Sequence, residues 1–428
     1  MLIAEEQSAA CGQHLLRMIG VAGAEAETGK REGSMMNQDR VTEHSGIDNI
    51  SNTADSSHTD SIDMKIESRY LEQALRLHRQ HPVVDMHLDL AGELVLRHEL
   101  GEQNVLYHRY LKNFYQAGIR VIASSIYVAN CDLDHAWANA LMQIKLLKGE
   151  IVTCNLELQR HREKEPVYER VLLIQSRQDL AKLLDQKNTE KRELGILLYM
   201  EGLECIGEET DRLEELFRQG VRGAALTWSR KDALATGCCK ASEHRQIRGG
   251  LTEKGMETVR KLEELNMFLD VSHLNDDGFT DVCRITTRPF VATHSNSRTI
   301  YDNYRNLTDG QMQKLAQQGG IMGLNGCRYI TGSLNGGHLL RMCEHIEYET
   351  ARLGAQHIGF GFDLCDSYDE ARAGLQGKEP PVQKNDCLPD HARIPMVTAA
   401  LLQRGMSEED MVFIMGKSWI LYLMEILP

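Results

Sequence analysis

Six residues able to bind a metal or carry a proton stand at the ends of apolar runs in this 428-residue chain. His87 and Asp89 close VVDMHLD, Glu201 closes LGILLYME, His273 closes MFLDVSH, His294 falls in PFVATHS, and Asp363 closes HIGFGFD. Three imidazoles and three carboxylates make a donor mixture that suits Zn2+ or a similar divalent ion. His87 and Asp89 are two residues apart, so they project from one side of a strand. Even without Asp363, five ligands exceed what one catalytic zinc takes from protein. Three protein ligands per metal, with one position kept for water, imply two metals sharing a residue. A carboxylate can bridge because it has two oxygens and a neutral imidazole cannot, which points to Glu201, between the His87/Asp89 pair and the His273/His294 pair.

Singly, each of these residues has an ordinary structural explanation. A histidine after an apolar run is commonly hydrogen-bonded, an aspartate at a strand end commonly caps a helix, and a buried glutamate commonly pairs with a base. The metal reading rests on their recurrence at equivalent points of one repeating unit.

That unit is a short apolar run followed by a helical stretch. The runs cover 83–87, 121–129, 194–202, 223–228, 267–273, 289–295, 319–326 and 357–363. Between them lie amphipathic helices with readable ends. Thr252 is placed to cap TEKGMETVRKLEELN, and Thr308 with Gln311 forms a capping-box pattern closed by a Gly pair. Eight strands alternating with helices predict an α/β fold of the TIM-like (β/α)8 barrel type, whose C-terminal strand ends converge on one mouth. A doubly wound open sheet is the structural alternative, weakened by the lack of a GxGxxG after an early strand. The segment 366–394, with Pro380, Pro381 and Pro389, cannot be a plain helix; it either overhangs the mouth or makes a surface excursion.

Residues 1–62 are rich in Ser, Asn, Asp, Glu, Gly and Thr and are expected to be a disordered extension, leaving 63–428 as a single barrel domain. The net charge of -14 argues against nucleic acid or an anionic membrane as the main partner. Eleven scattered cysteines without a CxxC pair read as reduced thiols. The first residues, MLIAEEQSAACGQHLL, carry acids where a signal peptide needs bases, and no 18-residue apolar run occurs. A cytoplasmic location is therefore expected. The closing WILYLMEILP reads as a short amphipathic helix.

The order of motifs resembles the zinc-dependent membrane (renal) dipeptidases and their soluble bacterial relatives over most of 80–425. DMHLD resembles the family's D-x-H-x-D and MEG its I-E-G. GVRGAALTW at 220–228 resembles its G-[VM]-R-x-x-x-L-T-[HW], and GLTEKGMETVRKLEELNMFLDVSH its G-L-T-x-x-G...D-x-S-H block. ATHSNSR and YRNLTD resemble S-H-S-[SN]-x-R and R-N-[LV]-x-D, and HIGFGFD resembles H-[IV]-G-x-G-x-D. The resemblance implies a barrel with two zinc ions per chain: His87 and Asp89 on one, His273 and His294 on the other, and Glu201 bridging. It further implies that Arg305 holds a dipeptide's terminal carboxylate, that Asp363 moves a proton and contacts the free amine, and that the chain forms a homodimer. Taken alone, Arg305 also reads as a surface arginine near a helix start.

Several positions depart from the family pattern. Trp228 replaces the histidine that the renal type carries after L-T, so an indole N–H is offered there but no proton can be carried. Leu364-Cys365-Asp366, Gly326-Cys327 and Gly416-Lys417-Ser418 also depart. The expected activity is hydrolysis of dipeptides, including those with a C-terminal D-residue. A metal-dependent hydrolase of another small amide or ester, or a catalytically silent metal-binding relative, stands as the alternative.

Overall fold

The computed structural model describes residues 64–161, 167–185, 192–242 and 245–428. The expected disordered extension, 1–62, lies outside the described residues.

Among the described residues there are ten strands: β1 (Val83–Leu88), β2 (Ile119–Tyr127), β3 (Arg170–Ile174), β4 (Glu193–Glu201), β5 (Val221–Ala225), β6 (Lys240–Ser242), β7 (Arg245–Gln246), β8 (Phe268–Asp270), β9 (Met322–Leu324) and β10 (Ile358–Phe360). β6 and β7 form a separate antiparallel pair, and the others belong to one parallel sheet in the order β8-β5-β4-β2-β1-β10-β9. The sixth apolar run links the two ends of that path. Val291 bridges Asp270 and Ala292 bridges Met322, both in parallel sense, so the sheet curls round as the barrel reading requires. All eight predicted runs thus take part. The sixth contributes only this short bridging stretch, in which the amides of Ala292 and Ser295 donate to the Ile321 and Gly323 carbonyls.

β3 was not foreseen. RVLLI is short, lies among charged residues and pairs only with β4, along Glu193–Leu197, beside the half that β5 leaves uncovered. Its period-two signal is correspondingly thin.

On β4, Leu197, Tyr199 and Glu201 share one face. That face carries a buried cluster with Val84, Met86, Val121, Ala123, Phe268 and Val291, joined by Trp419, Tyr422 and Leu423 of the C-terminal helix Ser418–Ile426. The alternate residues Ile196, Leu198 and Met200 pack in a larger cluster with the helices. Two-sided burial explains why the strands read as continuous apolar runs. The predicted caps hold: Thr252 accepts from the Gly255 amide at 3.0 Å, and Thr308 with Gln311 completes a capping box, each contributing about 1 kcal/mol. No helix among the described residues is long and apolar enough to cross a membrane.

The 366–394 segment is composite. It opens with helix Asp366–Leu375, runs as a loop through its prolines, and returns so that Asn385 and Cys387 pair with the backbone of Arg328 and Gly326 beside the strand ends.

Candidate metal centre

Strand pairing delivers the site. Tyr127 of β2 is in register with Glu201 of β4, and Ala225 of β5 with both Glu201 and Asp270 of β8, so the C-terminal ends lie level. Cβ atoms built on Gly323 and Gly361 would lie 2.0 and 1.7 Å from the Thr293 carbonyl oxygen. Only glycine lets β9 and the end of β10 close around the segment that carries His294.

All six sequence-predicted donors converge. His273 Nε2 is 2.8 Å from Glu201 Oε1, and His294 Nε2 is 3.5 Å from the same oxygen and 2.9 Å from His273 Nε2. His87 Nε2 faces Asp363 Oδ1 at 3.3 Å and Asp89 Oδ1 and Glu201 Oε1 at 3.8 Å each. Two compact donor groups result: His87, Glu201 and His294, and His87, Asp89 and Asp363. One imidazole nitrogen offers one lone pair, so His87 can serve only one of them at a time, whereas Glu201 has two oxygens.

The donors fit a cation better than they fit one another. His87 Nε2 is buried and makes no hydrogen bond, although three carboxylates surround it. Ligands about 2.0–2.1 Å from one tetrahedral zinc stand roughly 3.3 Å apart, close to the spacing seen here. Electrostatics agree. Burial, with Asp89 next, pushes Glu201 well above the usual carboxylate range, and burial likewise raises Asp89. Burial alone would lower His87, but Glu201, Asp363 and Asp89 together outweigh it and lift it to about 10. Burial, helped by the charges of Arg305 and His87, holds His273 and His294 well below the usual histidine range, so both are neutral.

Residues that received no role from the sequence aim these donors. Nδ1 of His87 meets the Tyr199 hydroxyl, Nδ1 of His273 meets Ser229 Oγ at 2.8 Å, and Nδ1 of His294 meets Thr293 Oγ1 at 2.7 Å. Thr293 donates its single proton to Asp270 Oδ2 at 2.6 Å, so it can only accept from His294. The proton of His294 is thereby fixed on Nδ1 and its Nε2 lone pair faces the centre. Asp270 also accepts from Ser272 Oγ at 2.6 Å, and Ser272 Oγ accepts from the His294 amide at 3.1 Å. Asp270, Ser272 and Thr293 stand inside the D-x-S-H and A-T-H patterns beside the histidines they orient. Asp85, the first acid of DMHLD, accepts the amides of His87 and Phe362 and so ties β1 to the residue before Asp363.

Arg305 is buried, not a surface residue. Its guanidinium donates to the Ser272 carbonyl, to Ser295 Oγ at 3.2 Å and to the His294 carbonyl at 3.3 Å. Asp363 has a φ of +55°, a left-handed conformation that costs a non-glycine residue energy, and Asn325 Nδ2 donates to its Oδ2 at 2.9 Å. Trp228 stacks on His273, ring centroids 5.5 Å apart, with the Arg230 guanidinium 5.1 Å from its own ring.

The model of the membrane dipeptidase family, peptidase family M19, matches residues 71–422, a span that contains every site residue above. The chain belongs to that family. Among relatives, Dipeptidase tcpJ of Claviceps purpurea is 27% identical over 231 residues, 54% of this chain and 50% of its own length. Mouse Dipeptidase 3 is 27% identical over 364 residues, 81% of this chain and 64% of its own length. The aligned stretch covers 43–66% of the length of these and two bacterial relatives. A solved metallopeptidase of Rhodobacter sphaeroides, liganded with a phosphinate mimic of the dipeptide L-Ala-D-Ala, superposes with a TM-score of 0.64 at 22% identity, over 81% of this chain and 99% of its own. The family fold is therefore the fold of this chain.

Proposed function

We propose that the protein is a zinc-dependent dipeptidase that hydrolyses dipeptides with a free C-terminal carboxylate, D-configured C-terminal residues included. The observation that carries this reading is the convergence of three imidazoles and three carboxylates beside the buried Arg305 guanidinium. The dipeptide mimic held by the Rhodobacter sphaeroides relative supports the extension to D-residues.

In this reading His87 and Asp89 would hold one zinc and His273 and His294 the other, with Glu201, which has two oxygens, shared between them. When bound, the metals supply a water of lowered pKa and a Lewis acid beside it. The protein's side chains do the rest. Arg305, oriented by the Ser272 and His294 carbonyls, keeps guanidinium edge for the substrate carboxylate, which it matches in shape and charge. Asp363, steadied by Asn325, accepts the proton lost by the attacking water, passes it to the leaving nitrogen, and contacts the free amine. Trp228 orients His273 and can donate one N–H, but the proton transfer falls to Asp363. We place the enzyme in the cytosol as a homodimer, acting on small molecules and neither on nucleic acid nor at a membrane. Buried thiols such as Cys154 and Cys205 are in keeping with a reducing compartment.

The test is a panel of dipeptides with free or blocked termini, assayed with and without chelator. Turnover of free dipeptides that stops on metal removal supports the reading; activity that survives complete metal removal refutes it. Trp228 in the place of the family histidine favours one second reading, a hydrolase of another small amide or ester, which preference for N-acylated or C-amidated compounds would establish.

A further inference from the structure

The Asp363 amide donates to the His87 carbonyl at 3.2 Å, so β1 holds the entry to its loop, and the residues that follow Asp363 need a second anchor. Asp363 lies beyond the end of β10 and takes a left-handed backbone, whereas Asp89 is the residue before helix Leu90–Glu99. The two helices that follow these carboxylates, Leu90–Glu99 and Asp366–Leu375, pack together. A Cβ built on Gly92 would lie 3.0 Å from the Tyr368 ring, so the contact is close.

Between them lies a buried charged network. Arg97 and Glu93 are 2% and 1% exposed. Arg97 Nε donates to Glu93 Oε1 at 2.8 Å, Nη1 to Glu102 Oε1 at 3.0 Å, and Nη2 to Ser367 at its carbonyl (2.9 Å) and its hydroxyl (3.0 Å). The Ser367 hydroxyl donates to Glu93 Oε1 at 2.6 Å, and the Tyr110 hydroxyl donates to Glu93 Oε2. From the far side, Asp386 accepts the amides of Cys365 and Asp366 at 3.0 and 2.9 Å. The backbone just after Asp363 is thus gripped from two directions. A buried ion pair adds little net stability over apolar packing, because desolvation offsets the attraction. What such a network does supply is directional geometry.

We propose that Arg97 is a positioning residue: by tying the first turn of helix Asp366–Leu375 to helix Leu90–Glu99, it sets the Asp363 carboxylate opposite Asp89 across His87. Arg97 touches none of the donors itself and acts through Ser367. The catalytic consequence rests on the dipeptidase reading; the geometric one does not.

Arg97→Met alone leaves Glu93 charged and unpaired in the interior and so threatens folding. The test therefore uses Arg97→Met/Glu93→Gln, which removes both charges and keeps one amide oxygen to accept from Tyr110 or Ser367. In the zinc-loaded enzyme we expect kcat to fall about ten-fold or more while KM and zinc content hold, since small misplacements of a catalytic group cost rate before binding. In an Asp363→Asn background the same pair of changes should cost nothing further in kcat. Amide exchange at 363–370 should accelerate about ten-fold, with the barrel strands unchanged. Unchanged exchange at 363–370 overturns the proposal, as does a kcat loss that simply multiplies with that of Asp363→Asn. If the parent enzyme cleaves no dipeptide, the dipeptidase reading fails and the exchange experiment alone decides the role of Arg97.

Discussion

The two ends of the site are built on opposite plans. At the imidazole end, His273 and His294 are neutral, lie beside a cation, and take their orientation from near neighbours: Ser229, Thr293 and, behind them, Asp270. At the carboxylate end, His87 sits among Asp89, Glu201 and Asp363 and holds its proton to about pH 10 without metal. The geometry there depends on contacts between segments some 270 residues apart, as between Arg97 and Ser367. One end is fixed by the strands that form it; the other is tied to β1 through Asp85 and the His87 carbonyl and is backed by the packing of two helices. In the proposed dipeptidase reading, one end would take a substrate's carboxylate and the other its amine and a migrating proton.

Glu201 is the residue common to both ends, so its loss should be the most damaging. Glu201→Gln is expected to lower zinc content and reduce kcat by about a thousand-fold or more, because an amide bridges two cations poorly; metal analysis beside steady-state kinetics checks it. Next comes the carboxylate end alone. Asp363→Asn should cost about a hundred-fold or more in kcat with zinc retained, the signature of lost proton transfer. The same end governs pH. With His87 raised to about 10, zinc must displace a proton, so apparent affinity should fall about ten-fold per unit as the pH drops from 8 to 6, measured by competition with a chelating indicator. That raised value also stabilises the metal-free fold below about pH 6.5, a contribution lost as the pH rises through about 10. At the imidazole end, Arg305→Lys should raise KM about thirty-fold, equivalent to about 2 kcal/mol, because an ammonium cannot reproduce the fork. Thr293→Val frees the His294 tautomer and should weaken zinc binding about ten-fold, read by the same competition.

The same contrast decides what could be read from the chain. His87, Asp89, Glu201, His273 and His294 were legible because each ends an apolar run, and in a barrel such ends converge whatever the loops do. The strands were legible because burial on both faces leaves few polar interruptions. Arg305 was ambiguous because its burial depends on carbonyls of Ser272 and His294, which no local pattern encodes. Thr293 and Asp270 stood inside quoted motifs, yet nothing in their spacing said that one donates to the other. Arg97, Ser367 and Asp386 gave no signal, since their partners are distant in sequence and ordinary in type. β3 escaped because a strand paired along one short edge has almost no pattern to show.

Titrating the metal-free protein with zinc while following hydrolysis of a free dipeptide tests the central claim most directly. Activity should climb from zero and level off at two zinc ions per chain. Turnover by the metal-free protein, or full activity at a single zinc, would contradict a centre in which Glu201 joins two cations.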